Sequence, residues 1–202
     1  MSGPGTRPRW YGISALLAGT PGPAWALELA VWLRDTVAQK LPALGREGAL
    51  CPFVPRALEL ASLFTCDGRT GDGWSGSVPD LVRAVASARV RFGTEFVLAG
   101  EADNLQALIV AFPGLATANW LALKAARAIV KPDLIAQGLT CSEFYPDNED
   151  RSVHNPEIPI ARSPIPSIII RRLQPHDRIF LRSQPDLYPI FLRRMKELQN
   201  DR

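Results

Sequence analysis

Between Pro23 and Pro42 the chain alternates apolar and polar residues at helical spacing. Leu27, Ala30, Val31, Ala38 and Leu41 fall near one face, with Trp25 and Trp32 beside them. Proline suits a helix start and stops a helix end, so the pattern predicts a helix over 24–41. "RALELASLF" (56–64) predicts a short helix. "VPDLVRAVASARVRFGTE", with apolar residues at 81, 82, 85 and 90 behind Pro79, predicts a long one over 79–94. "TANWLALKAARAIVKPDLIAQG" predicts another, ended or kinked at Pro132. Its expected inner face is Trp120, Leu121, Ala125, Ala128 and Ile129, which leaves Lys124, Arg127 and Lys131 on the other side. "DLYPIFLRRMKELQ" reads as a final helix.

Period-two and β-branched runs are fewer and come later. "NLQALIVAFPG", "LTCSEFYP" and "PSIIIRRL" are strand candidates. The expected fold is α+β, with a mixed α/β arrangement as the alternative: helices packed on a small sheet formed mainly by the second half. Residues 1–23, rich in glycine and proline, read as a flexible arm, with Ile13–Leu17 touching the body. Residues 24–202 read as one globular domain.

Composition narrows the function classes. A hydrophobic share of 47% over 202 residues supplies a core and excludes disorder of the whole chain. The net charge is only +3, and the longest basic runs are the pairs Arg171-Arg172 and Arg193-Arg194, which argues against nucleic acid. No apolar run approaches the ~18 residues of a membrane span. "ISALLAG" precedes an Ala24-Trp25-Ala26 step like a secretory cleavage site, but "TPGP" interrupts it. Three cysteines without CxxC spacing point away from disulfides and zinc. A cytoplasmic protein acting on a small molecule is the expectation, with homodimerisation left open.

Several motifs suggest chemistry. "GDGWSG" (71–76) fits GxGxxG, but the segment before it reads as helix, so a solvated loop is expected. "EFYPDNED" (143–150) reads as an acidic surface loop. Cys51 before Pro52 reads as a buried thiol at a helix start, haem ligation being the rarer case. The densest segment is "DRSVHNPEIPIARSPIPSIIIRRLQPHDRIF" (150–180), which holds both histidines of the chain. Pro156, Pro159, Pro164 and Pro166 predict an extended, pre-organised loop that carries His154 and Arg162 into a strand. A histidine there suits an axial iron ligand or an acid–base group, or else simply tethers the loop. Arg171 and Arg172 leave the strand in opposite directions, so one is expected to reach a ligand.

The elements "LCPFVPRALE" (50–59) and "GLTCSEFYPDNEDRSVHNPEIPIARSPIPSIIIRRLQPHDRIFL" (138–181) resemble an uncharacterised bacterial domain family found beside natural-product biosynthetic enzymes. His154-Asn155-Pro156 and Arg162-Ser163-Pro164 match its pattern. Tyr145 stands where it has histidine in a Phe-His-Pro step, and Arg172 where it has histidine after the strand. More remotely, the layout is similar to the YqcI/YcgG family, whose members include haem-dependent oxygenases acting on amino-acid nitrogen. That resemblance implies a haem-dependent monooxygenase of specialised metabolism, oxidising an amine or amino-acid-derived substrate. His154 would be the axial iron ligand. Arg162 and Arg172 would hold haem propionates or a substrate carboxylate. Trp120, Phe144 and Tyr145 would wall the pocket, with Arg162 and Tyr145 as catalytic candidates. One alternative is a cofactor-free isomerase, cyclase or hydrolase pairing His154 with Glu143 or Asp147. Another is a non-catalytic partner protein that docks through exposed Trp25 and Trp32. His176, outside the matched elements, reads as a helix-start or surface residue.

Overall fold

The computed structural model describes residues 9–45, 47–69, 73–92, 94–153 and 155–200. The fold is α+β, built on five strands: β1 (Trp10–Gly12), β2 (Leu63–Asp67), β3 (Ala107–Ala111), β4 (Leu139–Phe144) and β5 (Ser167–Arg172). They form one mixed sheet in the order β1-β2-β3-β5-β4. β2 and β3 are parallel, whereas β5 runs antiparallel between β3 and β4. Such a central strand is flanked by neighbours and covered on both faces, with Ile168 and Ile170 fully buried on one and Ile169 half-buried on the other, which explains the isoleucine run.

Helices cover both faces. On one lie α4 (Val78–Phe92) and α6 (Trp120–Ala136), over a core that includes Leu108, Val110, Leu123, Ile168 and Ile170. On the other lie α1 (Ile13–Leu17), α2 (Ala24–Trp32) and α3 (Val54–Glu59), over Leu63, Ile109 and Ala111. The short α5 (Gly100–Asn104) leads into β3. A third cluster, Ile135, Leu173, Leu181 and Phe191, holds α7 (Arg178–Leu181) and α8 (Tyr188–Asn200) against the end of α6. No helix among the described residues is long and apolar enough to cross a membrane.

Four expectations change. Part of the predicted arm belongs to the fold: β1 pairs with β2, and Ile13 is fully buried. The predicted helix over 24–41 ends as α2 and continues as one wide π-helical turn, Leu33–Val37. α2 is apolar nearly all round, so its pattern does not select a face. Small Ala26 and Ala30 admit close packing and turn inward with Leu29 and Leu33, leaving Leu27 and Val31 at the rim. The tryptophans are not an exposed docking face: Trp25 and Trp32 pack half-buried against the second core, edge-on to Tyr11 and Phe144. α6 is rotated likewise. Leu123, Ala126, Leu134 and Ile135 face inward, while Leu121 is 73% and Ile129 58% exposed. Pro132 stays inside the helix.

The fourth change is the stop after α3. The segment read as one helix over 56–64 breaks at Ala61, whose φ of 51° lies in the left-handed region. Ser62 N donates to Ala57 O and Ala61 N to Leu58 O, the two bonds of a Schellman motif. Glycine normally occupies that position, and without it the end of the helix and the start of β2 leave no mark on the sequence. Ala61→Gly is expected to raise stability by about 1 kcal/mol, because an L-residue in this conformation costs roughly that much. Urea unfolding checks it.

Candidate functional site

The parallel strands β2 and β3, with β4 in the same sense, end their carboxyl edges at Asp67, Ala111 and Phe144. This is the edge at which open α/β sheets take ligands. Several sequence-predicted residues gather there. Phe144 closes β4, Tyr145 follows it and Trp120 opens α6. The Trp120 and Tyr145 rings lie 5.6 Å apart, and Phe144 meets Trp32 at 6.1 Å. The Trp120 Nε1–H is buried and has no hydrogen-bond partner among the described residues. Burial, with Asp150, Glu143 and Glu149 nearby, raises the Tyr145 phenol above its ordinary pKa.

The proline-rich segment does not run straight into β5. It folds into two limbs, joined by Ser152 N to Ile158 O at 3.0 Å, Ile160 N to Asp150 O at 3.0 Å, and Tyr145 N to Ala161 O at 3.3 Å. Asn155 ties its tip to Ala43 O at 2.7 Å. His154, the predicted iron ligand, lies outside the described residues. Arg162 sits on the returning limb and donates to Asn148 O at 3.3 Å and Glu149 Oε1 at 3.1 Å. Arg172 is not with this group. It pairs in register with Leu139, whereas Phe144 pairs with Ser167. Five residue steps, about 17 Å, therefore separate Arg172 from the other predicted residues. There it bonds Asp103 at 2.6 Å and stacks over the Phe92 ring. His176 is exposed in the turn before α7.

The structure does not bring the residues expected around a haem to one place. Of the rings expected to wall it, Trp120 and Tyr145 pack on each other, whereas Phe144 packs on Trp32. The two arginines that would hold propionates are ion-paired to carboxylates and lie at opposite ends of the sheet. Among the described residues no group of three or more His, Cys, Asp or Glu could hold a metal ion.

The glycine-rich loop is also placed differently than expected. A strand, β2, does precede it and a helix, α4, follows, which is the context its motif requires. Gly71 and Asp72 lie outside the described residues. The donors at the loop's end are nonetheless occupied. Asp80 accepts from Ser75 N at 3.0 Å, Ser75 Oγ at 2.7 Å and Ser77 Oγ at 3.0 Å, and these bonds depress its pKa. A carboxylate of the chain itself thus takes the groups that would receive a phosphate.

A second site was missed because α6 was read with the wrong face inward. Arg127 donates from Nε to Glu143 Oε2 at 2.8 Å and from Nη2 to Oε1 at 3.2 Å. Glu143 is only 3% exposed, so it is neither a solvated loop carboxylate nor a free partner for His154. One turn on, Lys131 is 9% exposed and has no ion pair or hydrogen bond among the described residues. Burial pushes its ammonium pKa below the ordinary lysine value; like-charged Arg127 adds to the effect, and Glu143 and Asp177 oppose it. Cys141, its neighbour on β4, is pushed up to about 12 by burial and stays a thiol.

Lys131 lines a cleft of about 380 Å³ with Arg127, Ala128, Pro132 and the turn between α7 and α8, including Gln184 and Asp186. Pro132 has no N–H to offer the Ala128 carbonyl, so that acceptor lacks its helical donor at the cleft wall. Arg127 spends Nε and Nη2 on Glu143, and Nη1 has no partner among the described residues. The cleft combines a desolvated amine, a guanidinium and an exposed carboxylate.

Glu143→Gln should cost about 2 kcal/mol in urea unfolding, because it leaves the half-buried Arg127 guanidinium without its carboxylate. The double replacement Arg127→Met with Glu143→Met should recover most of that loss. Lys131 gives a pH signature. Its folded pKa is lowered, so between that value and about 10.4 the unfolded chain binds more protons and stability rises with pH. Lys131→Met should therefore be more stable than the parent at pH 7, the gap closing as pH approaches 10; thermal melts across this range check it.

No curated protein and no solved structure matches the chain. Residues 26–202 match the family described as a domain of unknown function, DUF6875, and the chain belongs to that family.

Proposed function

We propose that this protein is a small-molecule enzyme in which Lys131 acts as an amine nucleophile on a carbonyl substrate bound in the cleft between α6 and the α7–α8 turn. One observation carries this reading: a lysine that is 9% exposed and unpaired among the described residues lines a cleft large enough for a small metabolite. A desolvated lysine beside another cation is the usual form of an amine catalyst. The Nζ lone pair adds to the carbonyl carbon. Proton transfer converts the carbonyl oxygen to a leaving water, and a C=N bond to Nζ remains. The protonated imine then withdraws electrons from the adjacent carbon and acidifies its C–H bond. Asp186, which lines the same cleft, would carry the proton, and Arg127 Nη1 would hold a substrate carboxylate.

Haem-dependent oxidation beside natural-product enzymes, which the resemblance to YqcI/YcgG implies, has weaker support, because Arg172 lies five residue steps along β5 from the aromatic residues assigned with it. The amine reading is tested by incubating the protein with pyruvate or glyoxylate and cyanoborohydride at pH 7, then mapping adducts by peptide mass spectrometry. Trapping at Lys131 should exceed that at Lys40, Lys124 and Lys196, reflecting its larger neutral fraction. Equal labelling of all four lysines, or none at Lys131, overturns it.

A further inference from the structure

The opposite end of the sheet holds a second crevice, of about 350 Å³, lined by Arg89, Val90, Phe92, Gln137, Leu139 and Arg172. It shares no lining residue with the Lys131 cleft. We infer that this crevice is a binding site for a compact oxyanion, a phosphate or carboxylate group of a small molecule, received by Arg172 and Arg89.

Three observations support this. Arg172 is held rigidly. Its guanidinium lies 4.9 Å over the Phe92 ring, and Nη2 is anchored on Asp103 at 2.6 Å. Stacking engages the face of the guanidinium and leaves its N–H edge to hydrogen-bond. Second, Arg172 Nε is buried and has no partner among the described residues. Buried charged donors are rarely left without acceptors, and Arg172 lines this crevice, so a small shift of its guanidinium would bring the orphan N–H to a ligand oxygen. Third, the surroundings are cationic. Arg89 reaches Gln137 from α4, fixing the far wall of the crevice. Arg194 of α8 packs on Gly138, between the lining residues Gln137 and Leu139, and its Nε is likewise buried without a partner. Gly138 has a φ of +77°, and an added Cβ would sit 3.3 Å from Arg194 Nε, so a glycine is what lets this arginine approach. Asp103 and Glu197, the carboxylates paired with Arg172 and Arg194, leave the three arginines with one positive charge in excess.

The test is calorimetric titration of the full chain with inorganic phosphate and, separately, with succinate at low ionic strength. Saturable binding of either, with a Kd at or below about 1 mM, is expected, and its affinity should fall with added salt. Preference between the two anions identifies the group recognised. Arg89→Gln, which removes an arginine bonded among the described residues only to Gln137, should weaken binding by about tenfold without lowering the melting temperature. Arg172→Gln should abolish binding. No saturable binding of either anion, or binding unchanged in Arg89→Gln, overturns the inference.

Discussion

The buried ion pair between Arg127 and Glu143 sets the rotation of α6, and most of what is chemically distinctive depends on that rotation. A carboxylate on β4 that is 3% exposed needs a partner, and a bidentate guanidinium supplies one. Once Arg127 turns inward, residues one turn away on the same stripe follow. Leu123 and Leu134 reach the core, Leu121 and Ile129 are left in solvent, and Lys131 is carried out of water without a carboxylate of its own. The α7–α8 turn, held by the cluster around Phe191, then closes over this lysine as a cleft wall. The desolvated amine is thus a consequence of how the helix is fastened to the sheet.

Much of the fold was legible. The helices near 79–94 and 117–138 and the strands around Ile109, Cys141 and Ile169 follow from periodicity and β-branching. The faces of α2 and α6 were not legible. α2 is apolar all round, and α6 carries apolar residues on two faces, of which the one that docks also holds Arg127 against Glu143, 16 residues on in sequence. Two strands were also hidden. β1 has only three residues, and the start of β2 is masked by a helix stop that uses Ala61 where glycine is the recognisable signal.

The candidate chemistry was legible in part. Sequence singled out Trp120, Phe144, Tyr145 and Arg162, and the chain does gather them at the carboxyl edge of the strands. It also singled out Arg172, which register places at the far edge, in a crevice of its own. Register decides this, and register depends on pairings between segments far apart in the chain. The Lys131 cleft was illegible for a related reason: a lysine flanked by Val130 and Pro132 looks like a solvated helix residue until the helix is docked.

The central claim is that Lys131 is largely desolvated and has no ion pair among the described residues. Its direct measure is an NMR pH titration of the lysine side chains, with the Lys131 resonance assigned by Lys131→Arg. A titration midpoint well below those of Lys40, Lys124 and Lys196 is the predicted result. A midpoint equal to theirs, or above them, would contradict the account.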